Sequence, residues 1–280
     1  MDAKATQRPH PWRWVAAAAI ILLLLLLGKA LYDSQIIWEL IPQFAFSQTM
    51  LDGLWGTVVL TIAVMALAII IGVLVAVASQ SPNFILRWFA AGWIWVMRGI
   101  PALVHLLLWF NLALIIPYVG FGSAVVPTNS IMTPFIAALI GLTLSESAVM
   151  AEIVRSGIMS VPLGQVEAGK AMGMRGSLTM RRIILPQAIR VIIPPTGNEV
   201  IGMLKYTSLA FAVSYSDLLS AASKIYNANF KVMEALFAAT FWYLVLTTIA
   251  TLIQNQIARR YELANPANIA AASTKTGGAE

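Results

Sequence analysis

Glu167, Ala168, Gly169, Lys170 and Gly173 form one short run of small and polar residues. Nine residues separate Gly173 from Ile183, which leads into Leu185 and Pro186. The pattern predicts a helix over 165–172 stopped by Gly173, a basic turn carrying Arg181 and Arg182, and a return to apolar sequence at Pro186. These groups suit binding rather than bond making, because a partner in water can grip a carboxylate and guanidiniums held on a rigid loop helix. Gly164 to Lys170 also fits the GxxxxGK frame of a phosphate-binding loop. That loop needs a Ser or Thr hydroxyl for magnesium in the next place, and Ala171 has none. It also needs a preceding strand, where this chain has apolar helical sequence. Nucleotide binding is not expected, and any energy source must be another polypeptide.

A second set of polar groups lies inside apolar segments: Arg98, Glu146, Asn198, Glu199 and Lys205. A charge in hydrocarbon costs several kcal/mol unless paired or hydrated, so these groups are expected to face a bundle interior. They either pair with one another or meet a zwitterionic substrate, whose ammonium and carboxylate need opposite partners. Arg98 and Glu199 read better as structure or gating, and Glu146 as a substrate contact. His105, between Val104 and Leu106, reads as a hydrogen-bonded core histidine and stays among the pathway candidates. With two histidines and no cysteine, no histidine or thiolate metal site is expected, and no cofactor.

The elements that position these groups are membrane helices. The chain is 59% hydrophobic and 11% charged, with a mean hydropathy of +0.81, which excludes an ordinary soluble domain. Apolar stretches near the ~20 residues needed to cross hydrocarbon occur six times, at 14–32, 54–79, 88–116, 134–154, 189–209 and 232–257. Glycine and proline interrupt the third and fifth. The fold class is thus all-α, a polytopic bundle of six spans with a cytoplasmic helical loop. The net charge of +6 follows topology and gives no reason to expect nucleic acid. Lys4, Arg8 and Arg13 precede the first span, Arg155, Lys170, Arg175, Arg181, Arg182 and Arg190 crowd the central loop, and Arg259 and Arg260 follow the last. Cytoplasmic loops collect such charges, so both termini are placed inside. The loops at 33–52, 117–133 and 214–231 are then external, with Lys224 and Lys231 in the third running against the rule.

Three parts follow along the chain. Residues 1–50 hold a cytoplasmic segment, an anchor span and an external linker, residues 51–260 the transport core, and residues 261–280 a polar tail expected to be disordered. The Val15–Leu27 run lacks a small-residue cleavage pattern after it and reads as an uncleaved anchor rather than a signal peptide. Gly53 and Gly56 open the second span with little side-chain bulk, which allows close helix approach.

The loop spacing resembles the EAA motif of ABC importer permeases: Glu-Ala-Ala, three residues, Gly, nine residues, Ile-x-Leu-Pro. Gly169 replaces the second alanine. Ser147 to Gly157 resembles the Ala-Tyr-x-Ala-Glu-x-x-Arg-Gly stretch of the polar amino-acid subfamily, with Val149 in place of tyrosine and Ser156 in place of glycine. Arg98-Gly-Ile-Pro-Ala-Leu-Val-His105 is similar to that subfamily's Arg-Gly-Thr-Pro-Leu-Leu-Val-Gln. Asn198-Glu199 through Lys205-Tyr-Thr207-Ser208-Leu209 is similar to its Asn-Glu through Lys-Asp-Thr-Ser-Leu.

The resemblance implies a permease of the bacterial inner membrane moving a polar or charged amino acid. Its partners would be an ATPase dimer, a second permease of the same or a homologous kind, a periplasmic solute-binding protein and membrane lipid. The helix around 167–173 would lie in a cleft of the ATPase and pass its closure to the spans. Glu167 would bond the ATPase or cap its own helix, and Arg181 and Arg182 would meet acidic ATPase residues or anionic headgroups. Another small polar solute is an alternative within the same family. From other classes, a proton-coupled carrier using Glu146 or Glu199 and a scaffold recruiting a cytoplasmic partner remain open.

Overall fold

The structure, a computed structural model, describes residues 11–121 and 125–262. Lys4, Arg8, His10 and the tail beyond residue 262 lie outside the described residues. Twelve α-helices occur in what is described: α1 Pro11–Tyr32, α2 Leu40–Ala45, α3 Gln48–Ser79, α4 Phe84–Gly99, α5 Ala102–Phe110, α6 Thr128–Ile131, α7 Pro134–Met159, α8 Leu163–Ala171, α9 Gly176–Thr179, α10 Leu185–Tyr206, α11 Leu218–Asn229 and α12 Val232–Glu262. One small antiparallel hairpin, β1 Tyr118–Val119 with β2 Val126–Pro127, interrupts the all-α pattern.

Helix starts follow local chemistry. Ser47 Oγ accepts from the Met50 amide to open α3, Asn83 Oδ1 from Ile85 to open α4, and Thr133 Oγ1 from Ile136 to open α7. Four helices (α1, α3, α7 and α12) are long and apolar enough to cross a membrane. A fifth span results if α4 and α5 are one broken span, bent by 96°. The break falls at Pro101, which removes a backbone donor and holds Ile100 in extended geometry. The expected span at 189–209 corresponds to α10, which does not qualify by length and composition: it carries Arg190, Glu199, Lys205 and the internal prolines Pro194 and Pro195. Gln254 on α12 donates to the Pro194 carbonyl at 2.6 Å, tying α12 to α10 beside its two prolines.

The core is built around α3 against α7. Leu60, Val64 and Ala68 meet Leu142 and Met150 there, with Leu106 of α5 and Met203 of α10. A second cluster joins α2, α11 and α12 through small residues, among them Ala45, Ala221, Ala222, Ala235 and Ala238. Part of the expected external linker is therefore packed on the core: Trp242 Nε1 donates to the Ala45 carbonyl at 2.7 Å, and the Ile37 amide to Glu234 Oε1 at 3.0 Å. The α1 helix differs, with Leu22, Leu23, Leu24, Leu25 and Leu26 all more than half exposed. At the start of α3 a Cβ on Gly56 would sit 2.0 Å from the Ser216 carbonyl oxygen, so α3 and the segment before α11 touch backbone to backbone.

Candidate functional site

The loop between α7 and α10 folds as a compact unit. The α8 helix covers 163–171, including the GxxxxGK frame, so that frame presents no open nest of amides. Gly173 has φ +76°, its amide donates to the Lys170 carbonyl at 2.9 Å, and the Met174 amide donates to Gly169 at 3.0 Å. These two bonds are a Schellman stop, in which a left-handed residue lets the chain fold back on the last carbonyls. Gly169 is buried; a Cβ there would lie 2.8 Å from Ile183 Cδ1, so α8 seats on the following segment through its smallest residue. After α9 the chain widens into one π-helical turn, Met180–Ile184, which runs directly into α10 with Pro186 in its first turn. Arg181 and Arg182 project from that turn, exposed, as are Leu185 and Pro186. Ala168 and Glu167 are exposed on α8. Glu167 does not cap α8, whose N-cap is Pro162, and it has no partner among the described residues.

A separate cavity of about 540 Å³ lies between α5, α7 and α10. Glu146, Glu199, Ser145 and Tyr206 supply its polar lining, and Pro101 and Met203 are among its apolar walls. Glu146 is 5% exposed and its Oε1 has no hydrogen-bond partner. Two carboxylates thus share a cavity whose lining holds no Lys or Arg. A cation placed between them would meet two carboxyl acceptors and no competing positive charge.

The other pathway candidates go elsewhere. Arg98 lines a different groove, between α4 and α7. Asn198 and Lys205 are exposed and absent from the lining. Thr207 Oγ1 donates to the Leu204 carbonyl at 2.9 Å and Ser208 Oγ to Lys205 at 2.7 Å, so both hydroxyls close their own helical turn. His105 is 3% exposed, and its Nε2 has no partner. The expected hydrogen-bonded core histidine is thus buried, with that nitrogen unsatisfied. Sequence reasoning passed over Asp217, which is fully buried at the head of α11. Its oxygens accept from the Ser220 amide at 2.9 Å, the Leu219 amide at 3.2 Å and the Tyr243 hydroxyl at 3.1 Å. Burial pushes this carboxyl up, while those hydrogen bonds pull it down. The signal was available, since Asp before Leu-Leu-Ser is an N-cap pattern.

Residues 68–263 match the family described as the binding-protein-dependent transport system inner membrane component. The chain belongs to this family. As one of its members it is a multi-pass permease component rather than an enzyme, and ATP hydrolysis belongs to a separate ATPase subunit. The family membership sets aside the proton-coupled carrier and the scaffold. The arginine transport system permease protein ArgU of Corynebacterium glutamicum is 40% identical over 256 residues, covering 90% of this chain and 81% of that protein. The L-cystine transport system permease protein TcyB of Bacillus subtilis is 34% identical over 228 residues, covering 81% of this chain and 92% of that one. A crystal structure of an amino acid ABC transporter with histidines superposes with a TM-score of 0.71 at 28% identity, covering 81% of this chain and all of the matched chain.

Proposed function

We propose that this chain is the permease of an ATP-driven importer of amino acids in the bacterial inner membrane, and that its substrate is cationic. The observation that carries the substrate class is the cavity holding Glu146 and Glu199 without a basic residue in its lining. A guanidinium or ammonium side chain placed there satisfies Glu146 Oε1 and screens both carboxylates. The arginine system named for ArgU agrees with this chemistry.

Six spans with both termini in the cytoplasm complete the reading. The α10 helix counts as the sixth, because Glu199 turns toward the cavity and the helix packs among α3, α7 and α12. Two permeases, the same chain or a homologue as the second, stand over an ATPase dimer, and a solute-binding protein docks outside. Residues 51–260 form the transport unit, preceded by the anchor. Glu167, Arg181 and Arg182 face the ATPase. Closure of the ATPase dimer moves α8, and the π turn and α10 carry that movement to the cavity wall. The test is reconstitution of the permease with its ATPase and binding protein in vesicles. ATP-dependent accumulation of arginine or lysine, with weak accumulation of glutamate, is the expected result. Preference for an acidic amino acid would overturn the substrate class.

A further inference from the structure

A second polar groove, distinct from the acidic cavity, runs between α4 and α7 and has a volume of about 820 Å³. Arg87, Arg98 and Arg155 line it, and Glu152 is the one carboxylate in its lining. That carboxylate is already taken: Arg155 approaches Glu152 Oε2 through Nη2 at 2.7 Å and Nε at 2.9 Å. Arg87 uses Nη1 to donate to the carbonyls of Ser81 and Pro82 at 3.1 Å each, leaving its charge without an acid. Arg98 has no hydrogen-bond or ion-pair partner among the described residues. Three guanidinium charges against one carboxylate leave two positive charges unmatched. Arg98 lies in the last turn of α4, just before the 96° bend into α5.

The surroundings say which anion fits. Ala91 and Ile94 give the groove an apolar floor, and Trp95, 79% exposed, stands at its rim. Phe84 and Trp88 extend an exposed aromatic face along the same helix. Aromatic side chains of this kind settle at the headgroup level of a bilayer. Arg87 and Arg98 are eleven residues apart on α4, about 16 Å of helical rise and three turns along one face, with Ala91 and Ile94 between them. Guanidiniums match phosphate oxygens through paired donors.

We infer that this groove binds an anionic phospholipid, its phosphodiester held by Arg98 and its glycerol end laid on Ala91 and Ile94 toward the charge of Arg87. A free phosphate offers nothing to that floor or to Trp95.

The experiment uses the full-length chain in nanodiscs of phosphatidylcholine containing a minor fraction of phosphatidylglycerol or cardiolipin, with native mass spectrometry of the released protein. The wild-type chain is expected to retain the anionic lipid over phosphatidylcholine. Arg98→Gln should lower that retention about tenfold, the effect of losing one charged hydrogen-bonding partner, and Arg87→Gln should lower it less, because its Nη1 is engaged by Ser81 and Pro82. Arg98→Lys, which keeps the charge, should retain most of it. Equal retention of phosphatidylcholine and phosphatidylglycerol by the wild-type chain overturns the proposal without any variant. Release of the bound lipid by inorganic phosphate would reassign the groove to a free anion. Release by arginine would reassign it to the carboxylate of the transported amino acid. Either result overturns the lipid assignment, and neither bears on import through the acidic cavity.

Discussion

Gln187 on α10 donates through Nε2 to Oε1 of Gln165 on α8 at 2.5 Å, and also to the Ile183 carbonyl at 2.8 Å. One side chain therefore ties the loop helix, the π turn and the first turn of α10 together. The remaining seat of α8 is apolar, Gly169 under Ile183. A push on α8 thus has two routes into α10, a packed one and a polar one.

Removing the polar route should loosen coupling without dissolving the loop. Gln187→Ala loses one neutral contact between helices, worth about 0.5–1.5 kcal/mol, so binding-protein-stimulated ATP hydrolysis should fall about two- to tenfold. Gln165→Ala should do the same, and the double variant should lose little more than either single one. Strictly additive losses in that cycle would show that the two amides do not act as a unit.

At Gly173 the two possible causes of damage can be separated. Its φ of +76° strains any side chain, by about 1–2 kcal/mol, but a Cβ there meets nothing within 4 Å. Gly173→Ala should therefore cost only the strain, seen as a modest loss of coupled hydrolysis. Any larger loss with Gly173→Arg has to come from a partner surface, read as weaker co-purification of the ATPase. If the two variants assemble equally well, Gly173 does not lie against the ATPase.

Much of this local structure was legible because it depends on neighbouring residues. The stop at Gly173, the helix before it and the interruption of the third apolar stretch at Pro101 all follow from residue types a few positions apart. Other features depend on how distant segments meet. Glu146 and Glu199 lie on different helices, and only packing shows that they share a cavity from which Arg98 is absent. The six apolar stretches illustrate the same limit. Hydropathy identifies α3 and α12 readily, whereas the stretch at 189–209 carries Arg190, Glu199 and Lys205, and only packing shows that α10 turns Ala188, Met203 and Leu204 inward while Arg190 and Lys205 stay exposed.

Topology can be tested directly because the chain has no native cysteine. A single cysteine at Gly176 should react only with reagents reaching the cytoplasm, and one at Tyr118 only from outside. An external Gly176 would remove the loop from any contact with an ATPase.

Asp217 should matter for stability rather than for transport chemistry. Asp217→Ala leaves the Leu219 and Ser220 amides and the Tyr243 hydroxyl without their acceptor in a buried place. A cost of about 1–3 kcal/mol is expected, seen as a lower thermal midpoint of the purified permease. An unchanged midpoint would mean that the join between α11 and α12 is held by its apolar contacts alone.

The Glu146–Glu199 cavity yields the sharpest contrast. Glu146 is buried with one free oxygen, whereas Glu199 is half-buried on the opposing helix, so Glu146 should dominate the hold on a cation. A charged hydrogen bond contributes about 1.5–3 kcal/mol, so Glu146→Gln should raise the arginine concentration for half-maximal uptake about tenfold or more. Glu199→Gln should act in the same direction but less strongly, because water already screens its charge. In both variants the ATPase should co-purify as with the parent, since neither residue touches the α8 loop. The readout is the uptake rate against substrate concentration at a fixed, saturating amount of binding protein loaded at each concentration. Unchanged uptake kinetics in Glu146→Gln would show that the cation does not pass this carboxylate, and the free Oε1 would then need another partner.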